Sequence, residues 1–520
     1  MAEVGFRKFI ITVTVIAAAV IELIDTSIVN VALSDMSGNL GATLEDVAWV
    51  VTSYAIANVI IIPMTSFLAA RFGRRNYYIG SILLFTAASI ACGQARSIWV
   101  LVAFRFIQGI GGGALLSTSQ SILFEAFSLE QRGLAAALFS VGVFIGPTIG
   151  PTVGGWIIDN YSWPWIFYIN VPIGLVAAAL SYVYVREPVH ARSAEHIDWA
   201  GIGLLVTGLG ALQTVLERGE HDDWLSSKFI VTLAVVAAVS LISFIVWETR
   251  TKHPVVDLRV LKSRPLATAA TLTFVLGFAL FATVFIVPLF AQRLLGFSAM
   301  QTGMLFLPGA AIAVMLLPLV GRALMKGLPP QILIVGGFSI VAIFAWQLGR
   351  LNLDAGPGDF FWPIILRAVG LCFMTVPLTQ LAVSGLKTRD IPQGVALNNM
   401  MRQLGGSFGI AFINTFLDDR VANHRLDLIS RLNLGDPATQ RRLHGIAGSL
   451  VAHGYSPWEA AHRALAVLEA TIVRQANLLS YLDAYRLVAA IAIISLPLIL
   501  IAGRPGRASA TAAAAAADSH

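Results

Sequence analysis

Long apolar segments dominate this chain and leave few choices of fold. A window of about 19 residues finds fourteen of them, each long enough to cross a lipid bilayer as a helix. They lie near residues 9–33, 47–69, 77–94, 98–124, 134–157, 165–185, 200–217, 228–247, 266–290, 300–321, 331–349, 360–386, 394–417 and 482–502. Because 57% of the residues are hydrophobic and only 12% are charged, against roughly 25% charged in soluble proteins, we predict an all-α integral membrane protein.

Basic residues in the connecting loops predict how the spans are oriented. An even number of spans places both termini on one side, and the loops of that side carry roughly four times as many Lys and Arg residues as the short loops opposite. These short opposite loops hold Arg96, Arg218, Lys228, Arg293 and Arg350. The positive-inside rule then predicts cytoplasmic termini in a cell inner (plasma) membrane. The net charge of +6 therefore reflects topology and not nucleic-acid binding. No small-residue cleavage site follows the first span, so we expect it to stay as an anchor.

The spans fall into groups of six, two and six, which predicts two six-helix bundles joined by an inserted pair of helices. Arg105 and Arg367 each lie near the start of the fourth span of a group, a parallel repeat typical of transporters whose path runs between two halves. We assign residues 1–190 to the first bundle, 191–255 to the inserted pair with its linkers, 256–502 to the second bundle and 503–520 to a disordered cytoplasmic tail. The polar stretch at about 418–480 is expected on the periplasmic side, as either an ordered hairpin or a solvated loop.

Two carboxyl groups interrupt the first apolar segment, AVIELIDTSIVNVAL. Glu22 and Asp25 are three residues apart, which puts both side chains on one face of a helix, about one turn from each other. An ionisable side chain at bilayer depth is costly and usually faces a cavity or a partner inside the bundle. The spacing therefore predicts that both acids look into the same internal cavity.

The fifth span, GVFIGPTIGPTVGG, carries a glycine at every fourth position together with two prolines. Glycines at that spacing share one face and let a partner helix approach closely, while each proline bends the helix by removing a backbone hydrogen bond. The pattern predicts either a specialised gate or ordinary close packing of helices. Its residues are Gly142, Gly146, Pro147, Gly150, Pro151 and Gly154.

Several of these segments resemble motifs of the major facilitator superfamily. GVFIGPTIGPTVGG looks like the antiporter signature, in which the fifth helix packs against the second half and shapes the gate. LVAFRFIQGIGGG is similar to the motif of the fourth helix, with Arg105 at the matching position. SFLAARFGRR resembles the motif of the cytoplasmic loop after the second helix; it keeps Gly73, Arg74 and Arg75 but has Ala70 where the family usually has the aspartate of a charge-relay latch.

Other segments narrow the resemblance to one branch of that superfamily. ELIDTSIVNVAL, WPWIFYINVPIG and ALNNMMRQLGGSFG are similar to the fourteen-span drug:proton antiporters of the EmrB/QacA type, including the inner-membrane pumps of tripartite efflux systems. The resemblance covers nearly the whole chain. It implies proton-coupled export of amphipathic or toxic compounds by alternating access, with no cofactor beyond the proton gradient. It also implies a periplasmic adaptor protein and an outer-membrane channel as possible partners.

The same resemblance suggests roles for the intramembrane polar residues. We predict that Asp25 binds the coupling proton and that Arg105 tunes it by moving nearer or further; alternatively, Arg105 is a structural arginine satisfied by backbone carbonyls. Glu22 shares the proton, contacts a cationic substrate, or is a neutral carboxyl bonded to a neighbouring helix. Other polar residues are candidates to line the substrate cavity with Glu22, those of the second half serving either an anionic substrate group or interhelical hydrogen bonds. They are Asn30, Asn58, Gln108, Gln120, Arg367, Asn398 and Arg402.

Signals for enzymatic chemistry are weak throughout the sequence. HPVVD at residues 253–257 has the spacing of an acyl-transfer motif but no glycine-rich or serine partner nearby. No GxxxxGK[ST] loop occurs, and the two cysteines, Cys92 and Cys372, fall in spans, which favours neither a disulfide nor a metal site. We therefore expect a secondary transporter and not an enzyme. Two other functions stay open: a dedicated exporter of one metabolite or antibiotic with the same fold, and a membrane sensor or scaffold that does not transport.

Overall fold

The protein is described by a computed structural model that covers residues 5–128, 131–187, 197–387, 390–432 and 436–501. These residues form helices and connecting turns, without a strand among them. The predicted tail at 503–520 and the boundary at 190 lie outside the described residues. For the described chain, the predicted all-α class is confirmed.

The first group of helices contains the first six predicted spans. Its helices are α1 (Phe6–Ile28), α2 (Leu33–Leu40), α3 (Leu44–Phe72), α4 (Arg74–Gly93), α5 (Ile98–Ala126), α6 (Arg132–Asn160), α7 (Trp165–Tyr168) and α8 (Asn170–Tyr184). α2 is a short helix between the first two spans, and α7 with α8 makes the sixth span. We call the end of the bundle where α1 begins the near side, and the opposite end, where α2 lies, the far side.

An inserted pair of helices and the second group follow. Their helices are α9 (Trp199–Arg218), α10 (Lys228–Arg250), α11 (Arg264–Leu289), α12 (Ala299–Met325), α13 (Pro330–Leu348), α14 (Pro357–Val383), α15 (Ile391–Ser430), α16 (Pro437–Ala452), α17 (Pro457–Ile494) and α18 (Leu496–Ile501). Hydroxyl and carboxylate caps start several of them: Asp198 accepts a hydrogen bond from the amide of Gly201 at the start of α9, and Ser298 forms a capping box with Gln301 at the start of α12. Such caps satisfy backbone donors that a helix leaves unpaired.

Thirteen helices of the described chain are long and apolar enough to cross a membrane. The remaining predicted span belongs to α15, which is less apolar because it carries Asn398, Asn399 and Arg402 in its first turns. α15 nevertheless packs closely along α11: a Cβ added at Gly409 would lie 2.9 Å from the carbonyl oxygen of Phe278. Asn398 and Asn399 are buried inside the bundle, as polar side chains of membrane helices usually are.

The last two spans extend far beyond their predicted limits. α15 has 40 residues and α17 has 38, so each is about 60 Å long, roughly twice the thickness of a bilayer core. The fourteenth span was expected at 482–502, but its helix begins at Pro457 because Ser456 and Glu459 form a capping box there. With α16, which packs on α17, these extensions make a helical hairpin out of the polar stretch at 418–480.

The two groups pack most extensively along two pairs of helices. α6 packs against α12, and α3 packs against α15. Near the near side, a Cβ added at Gly321 of α12 would lie 2.8 Å from the carbonyl oxygen of Gly133 and from Cβ of Ala137, both on α6. The groups are therefore in close backbone contact at that end.

Candidate functional site

Asp25 lies at the centre of a buried network in the first group of helices. Its Oδ2 is 2.5 Å from Nη1 of Arg105 on α5, and neither side chain exposes more than 1% of its surface. Its Oδ1 accepts hydrogen bonds from Nε2 of Gln108 (2.9 Å) and Nδ2 of Asn170 (2.8 Å). The same two nitrogens donate to Oγ of Ser89 at 2.7 and 3.4 Å. Four helices, α1, α4, α5 and α8, thus converge on one carboxylate.

Arg105 contacts a backbone carbonyl as well as the carboxylate. Its Nε donates to the carbonyl oxygen of Val50 on α3 at 3.2 Å, and its Nη1 donates to Oε1 of Gln108 at 2.7 Å. The guanidinium carbon lies 4.1 Å from the ring centre of Tyr54, a favourable cation–π distance. The cation is therefore supported from several directions, and it keeps partners when its contact with Asp25 is lost.

Glu22 is buried one turn before Asp25 on α1. Its Oε1 accepts a hydrogen bond from Nδ2 of Asn58 at 2.9 Å, and the hydroxyl of Tyr54 lies 3.5 Å from the same oxygen. Its Oε2 is buried and has no hydrogen-bond partner among the described residues. A buried carboxylate oxygen without a donor is unfavourable, so Oε2 is the atom of this site most ready to accept a proton or a donor group.

The glycine stripe of α6 packs on α1. A Cβ added at Gly146 would lie 2.6 Å from Cβ of Leu23, and one at Gly154 would lie 2.7 Å from Cγ1 of Ile28. The other two glycines of the stripe also face α1. The resemblance implied that this helix packs against the second half, and a different face of α6 does so through α12. The glycines instead fix the helix that carries both buried acids.

Asn399 on α15 is a polar link between the two groups of helices. Its Nδ2 donates to Oε1 of Gln120 at 2.9 Å and to Oγ of Ser117 at 3.2 Å, both on α5. Its Oδ1 lies 3.5 Å from Nη2 of Arg402, one turn along the helix. Oδ1 of the neighbouring Asn398 is buried and has no hydrogen-bond partner among the described residues. The polar residues predicted in this helix thus face the first group.

A small cavity lies between the two groups of helices beside these residues. Its volume is about 20 Å³, and Gln120, Asn398 and Arg402 supply part of its polar lining. That volume holds about one water molecule. With the near side closed by the packing of α6 on α12, this conformation has no room for a drug-sized molecule in the cavity.

Arg367 is held within the second group. Its Nε donates to Oγ1 of Thr283 at 2.8 Å, and its Nη2 lies 3.4 Å from the carbonyl oxygen of Leu280, both on α11. This arrangement repeats the contact of Arg105 with α1, but a threonine stands where the first half has Asp25. The structure therefore gives Arg367 interhelical hydrogen bonds, one of the two roles that the sequence left open.

Asn30 lies away from the network. It is exposed in the turn after α1, and its Nδ2 donates to the carbonyl oxygen of Thr26 at 3.3 Å. It is five positions after Asp25, which corresponds to about 140° around a helix. The structure thus places Asn30 outside the small central cavity, in contrast to the expectation from sequence.

The loop motif after the second span is held by a carboxylate from another part of the first group. Gly73 has a φ of 81° and ends α3. The backbone amides of Arg74 and Arg75 donate to the two carboxylate oxygens of Glu187, at 2.6 and 3.0 Å. The guanidinium of Arg74 pairs with Glu125 at the end of α5. Carboxylates are favoured at a helix N-terminus, so Glu187 and Glu125 provide the negative charge near these arginines.

Sequence reasoning missed three residues that matter to this geometry: Ser89, Asn170 and Glu187. Asn170 stands inside WPWIFYINVPIG, and an amide in such an apolar segment is a signal of an internal polar partner. Among the described residues, no group of three or more His, Cys, Asp or Glu side chains is placed to hold a metal ion. The two cysteines are buried and not bonded to each other.

Comparison with protein families gives one match over most of the chain. The model of the Major Facilitator Superfamily matches residues 15–410. Multidrug export protein EmrB of Escherichia coli (strain K12) is 35% identical over 446 residues, covering 85% of this chain and 87% of that protein. Fatty acid resistance protein FarB of Neisseria gonorrhoeae is 33% identical over 496 residues, covering 95% of this chain and 96% of that protein.

Solved structures show the same fold at low sequence identity. The human organic anion transporter MFSD10 aligns with a TM-score of 0.59 at 10% identity, covering 95% of this chain and 99% of that one. The proton:xylose symporter XylE aligns with a TM-score of 0.58 at 14% identity, covering 94% of each chain. At such identities the likeness concerns the fold alone.

Proposed function

We propose a function from one premise: this chain belongs to the Major Facilitator Superfamily. We infer that it is a secondary transporter, and not an enzyme, that exports amphipathic or toxic compounds in exchange for protons. The relatives named for multidrug export support the export of several compounds. The main support for the proposal is the buried contact between Asp25 and Arg105. A carboxylate beside a cationic partner can bind and release a proton without a cofactor or a nucleotide.

Asp25 is the proton carrier in this mechanism. Its contact with Arg105 is strongest when the carboxylate is ionised, since a neutral acid forms a weaker hydrogen bond with the guanidinium. A proton arriving from the far side neutralises Asp25 and weakens the link between α1 and α5, while Arg105 keeps the carbonyl of Val50 and the amide of Gln108. Release of the proton to the near side restores the link. Protonation thus selects between two arrangements of the first group.

Substrate binds, in this proposal, between Glu22 of the first group and the polar face of α15. Glu22 offers an unpaired carboxylate oxygen to a cationic or donor group, and Arg402 offers a cation to an anionic group. The small cavity opens either to the near side or to the far side as the two groups of helices rotate relative to each other. If proton and substrate favour opposite states of one site, their competition is enough to couple the two fluxes.

The decisive variant is Asp25→Asn, which keeps the size of the side chain and removes its charge. In everted vesicles, we expect it to lose export driven by an imposed proton gradient. Asp354→Asn, at an exposed acid of the loop before α14, is the matched control and should export normally. Proton-driven export by Asp25→Asn at the rate of the control would refute the mechanism.

A dedicated exporter of one compound class is the second candidate. FarB, a relative over nearly the whole chain, is named for resistance to fatty acids and not to drugs in general. Cells that express this chain can be challenged with a panel of unrelated toxicants. Protection against several of them supports the multidrug function, whereas protection against one class supports the dedicated exporter.

The orientation that we propose puts the near side in the cytoplasm and the far side in the periplasm. The asymmetry of basic residues in the loops supports it, and the inner membrane is the location that follows. Labelling of cysteines introduced at Asn39 on the far side and at Phe72 on the near side, both exposed, tests it in intact cells. A membrane-impermeant reagent should reach only the far-side cysteine.

The helical hairpin beyond the far side is the proposed docking site of a periplasmic adaptor protein, with an outer-membrane channel beyond it. Where α15 and α17 pass each other, an open groove of about 470 Å³ is lined mainly by apolar side chains, including Ile429, Leu432, Leu465 and Ile472. Exposed apolar surface of this kind is typical of a protein–protein contact. Cross-linking to an adaptor should disappear when the hairpin is removed and the spans remain folded.

A further inference from the structure

The inserted helix pair lies on the seam between the two groups. Nε2 of Gln213 on α9 donates to Oγ of Ser407 on α15 at 2.9 Å. Three residues earlier on the same face of α9, a Cβ added at Gly210 would lie 3.6 Å from Cδ1 of Ile60 on α3. α9 therefore contacts one helix of each group, and it cannot keep both contacts if those helices separate.

The loop between α9 and α10 repeats this bridge at the far side. Nε1 of Trp224 donates to Oγ1 of Thr415 on α15 at 2.9 Å, and Glu220 accepts a hydrogen bond from Asn414 on the same helix. Toward the first group, Nε2 of His221 in the loop lies 3.6 Å from Oε1 of Glu45 at the start of α3, and Nη1 of Arg218, the last residue of α9, lies 3.4 Å from the carbonyl oxygen of Glu45. The loop thus holds α15 with one end and α3 with the other.

Direct apolar packing between α3 and α15 lies nearer the middle and the near side. The residues of α3 in their shared cluster include Ile60, Met64 and Phe67, and those of α15 include Leu397 and Met400. At the far side, the polar contacts through the loop add a link of a different kind. Polar contacts of partly exposed groups are weaker than a buried apolar cluster and can respond to protonation.

We propose that residues 218–227, the end of α9 and the loop that joins it to α10, form a clamp that ties α3 to α15 at the far side, and that proton exchange at Glu220, beside Asp418, sets its strength. This inference goes beyond the proposed transport function and rests on it only for its effect on turnover. It gives the inserted pair of helices a role of its own, which is to connect the two groups at the far side.

The acid pair makes the clamp sensitive to pH. Partial burial, followed by the adjacent carboxyl of Asp418, raises the pKa of Glu220 to about 6 from 4.5, while Asn414 and His221 act in the opposite sense. The other charged groups in and around the loop include Glu45, Arg218, Asp222, Asp223 and Lys228. A carboxyl whose pKa is raised in the clamped state favours that state below its ordinary pKa, and the advantage is lost as pH rises through about 6. A shift of this size corresponds to at most about a thirtyfold change in the clamp equilibrium, reduced by solvent screening at this partly exposed side chain.

A tight clamp at low pH opposes separation of α3 and α15, which opening of the far side requires. The clamp therefore slows opening most when the far side is acidic. This is the side from which protons enter in the proposed cycle, so the clamp limits turnover under a steep gradient.

Distance measurements between spin labels test the clamp in the full chain without substrate. Asn39→Cys and Ala422→Cys place labels at exposed positions next to α3 and on α15 at the far side, and the two native cysteines are buried. In lipid nanodiscs, we expect one short distance at pH 5 and a growing population of a longer distance at pH 8. Glu220→Gln should hold the short distance at both pH values, because it keeps a polar side chain there and does not titrate.

Two further variants complete the test. Trp224→Phe keeps the aromatic ring but loses the donor to Thr415, and it should increase the longer distance at pH 5 and pH 8 alike. Asp223→Asn, an exposed acid of the same loop, is the control and should follow the parent. A pH response in Glu220→Gln equal to that of the parent, or an unchanged distribution in Trp224→Phe, overturns the clamp. If the distances behave as expected but no proton-driven export is found, the transport function fails and the clamp stands.

Discussion

Replacing Gly146 by alanine tests whether the glycine face of α6 holds α1 in place. The added Cβ would lie 2.6 Å from Cβ of Leu23, whereas nonbonded carbon atoms rest about 3.5–4.0 Å apart. α1 must therefore move by about 1 Å. Overpacking of this kind costs about 1–3 kcal/mol. The higher helix propensity of alanine offsets up to about 1 kcal/mol of that cost.

Gly155→Ala is the matched control, because it lies on the same helix and an added Cβ there has no atom within 4 Å. Both variants gain the same helix propensity, so the difference between them isolates the clash. We expect Gly146→Ala to have a free energy of unfolding about 1–3 kcal/mol below that of Gly155→Ala. Unfolding of the purified protein by titration with a denaturing detergent measures this difference.

The displacement should also reach the proton site. Leu23 stands between Glu22 and Asp25 on α1, so a shift of its backbone changes the 2.5 Å contact between Asp25 and Arg105. A misplacement of about 1 Å can lower a rate by about 100-fold. We therefore expect proton-coupled transport in proteoliposomes to fall by up to that factor in Gly146→Ala and to stay near normal in the control. Equal stability and equal transport in the two variants would refute the reasoning.

Three further predictions concern single contacts. Arg105→Lys keeps the charge but cannot reproduce the bonds to both Asp25 and the carbonyl of Val50, so it should lower the free energy of unfolding by about 1.5–3 kcal/mol; a change below the error of the denaturation measurement would contradict this. Glu187→Gln weakens the charged cap on the amides at the start of α4 and should cost about 0.5–2 kcal/mol, with substrate affinity in a binding assay unchanged. Leu465→Asp should abolish cross-linking to an adaptor while transport in proteoliposomes continues, and loss of both together would argue against a separate docking groove.

Part of the site was predictable because it depends on helical spacing. The interval between Glu22 and Asp25 places both on one face, and Arg105 and Gln108 are likewise three residues apart on α5. The spacing led to the two acids, whereas Arg105 and Gln108 were singled out because LVAFRFIQGIGGG resembles the motif of the fourth helix. The role of Gln108 was less clear from the sequence. It was expected to line the substrate cavity, whereas in the structure its side chain donates a hydrogen bond to Asp25.

Contacts between distant parts of the chain were not predictable from one sequence. Asn170 reaches Asp25 across 145 positions, and Glu187 reaches the amide of Arg74 across 113. The length of α17 was also missed, because the hydropathy window detects its apolar end and not its polar beginning. The domain limits and the roles of the site residues stay predictions that the proposed experiments address.

The continuity of α15 and α17 from the bundle into the hairpin has a mechanical consequence. From Pro457 to about residue 480, α17 extends roughly 35 Å beyond its span, without an intervening loop at which motion could dissipate. A rotation of the second group by about 10° would swing the tip of the hairpin through roughly 6 Å. The hairpin then acts as a lever arm. A protein bound to its tip would be displaced in each transport cycle by more than the diameter of a water molecule.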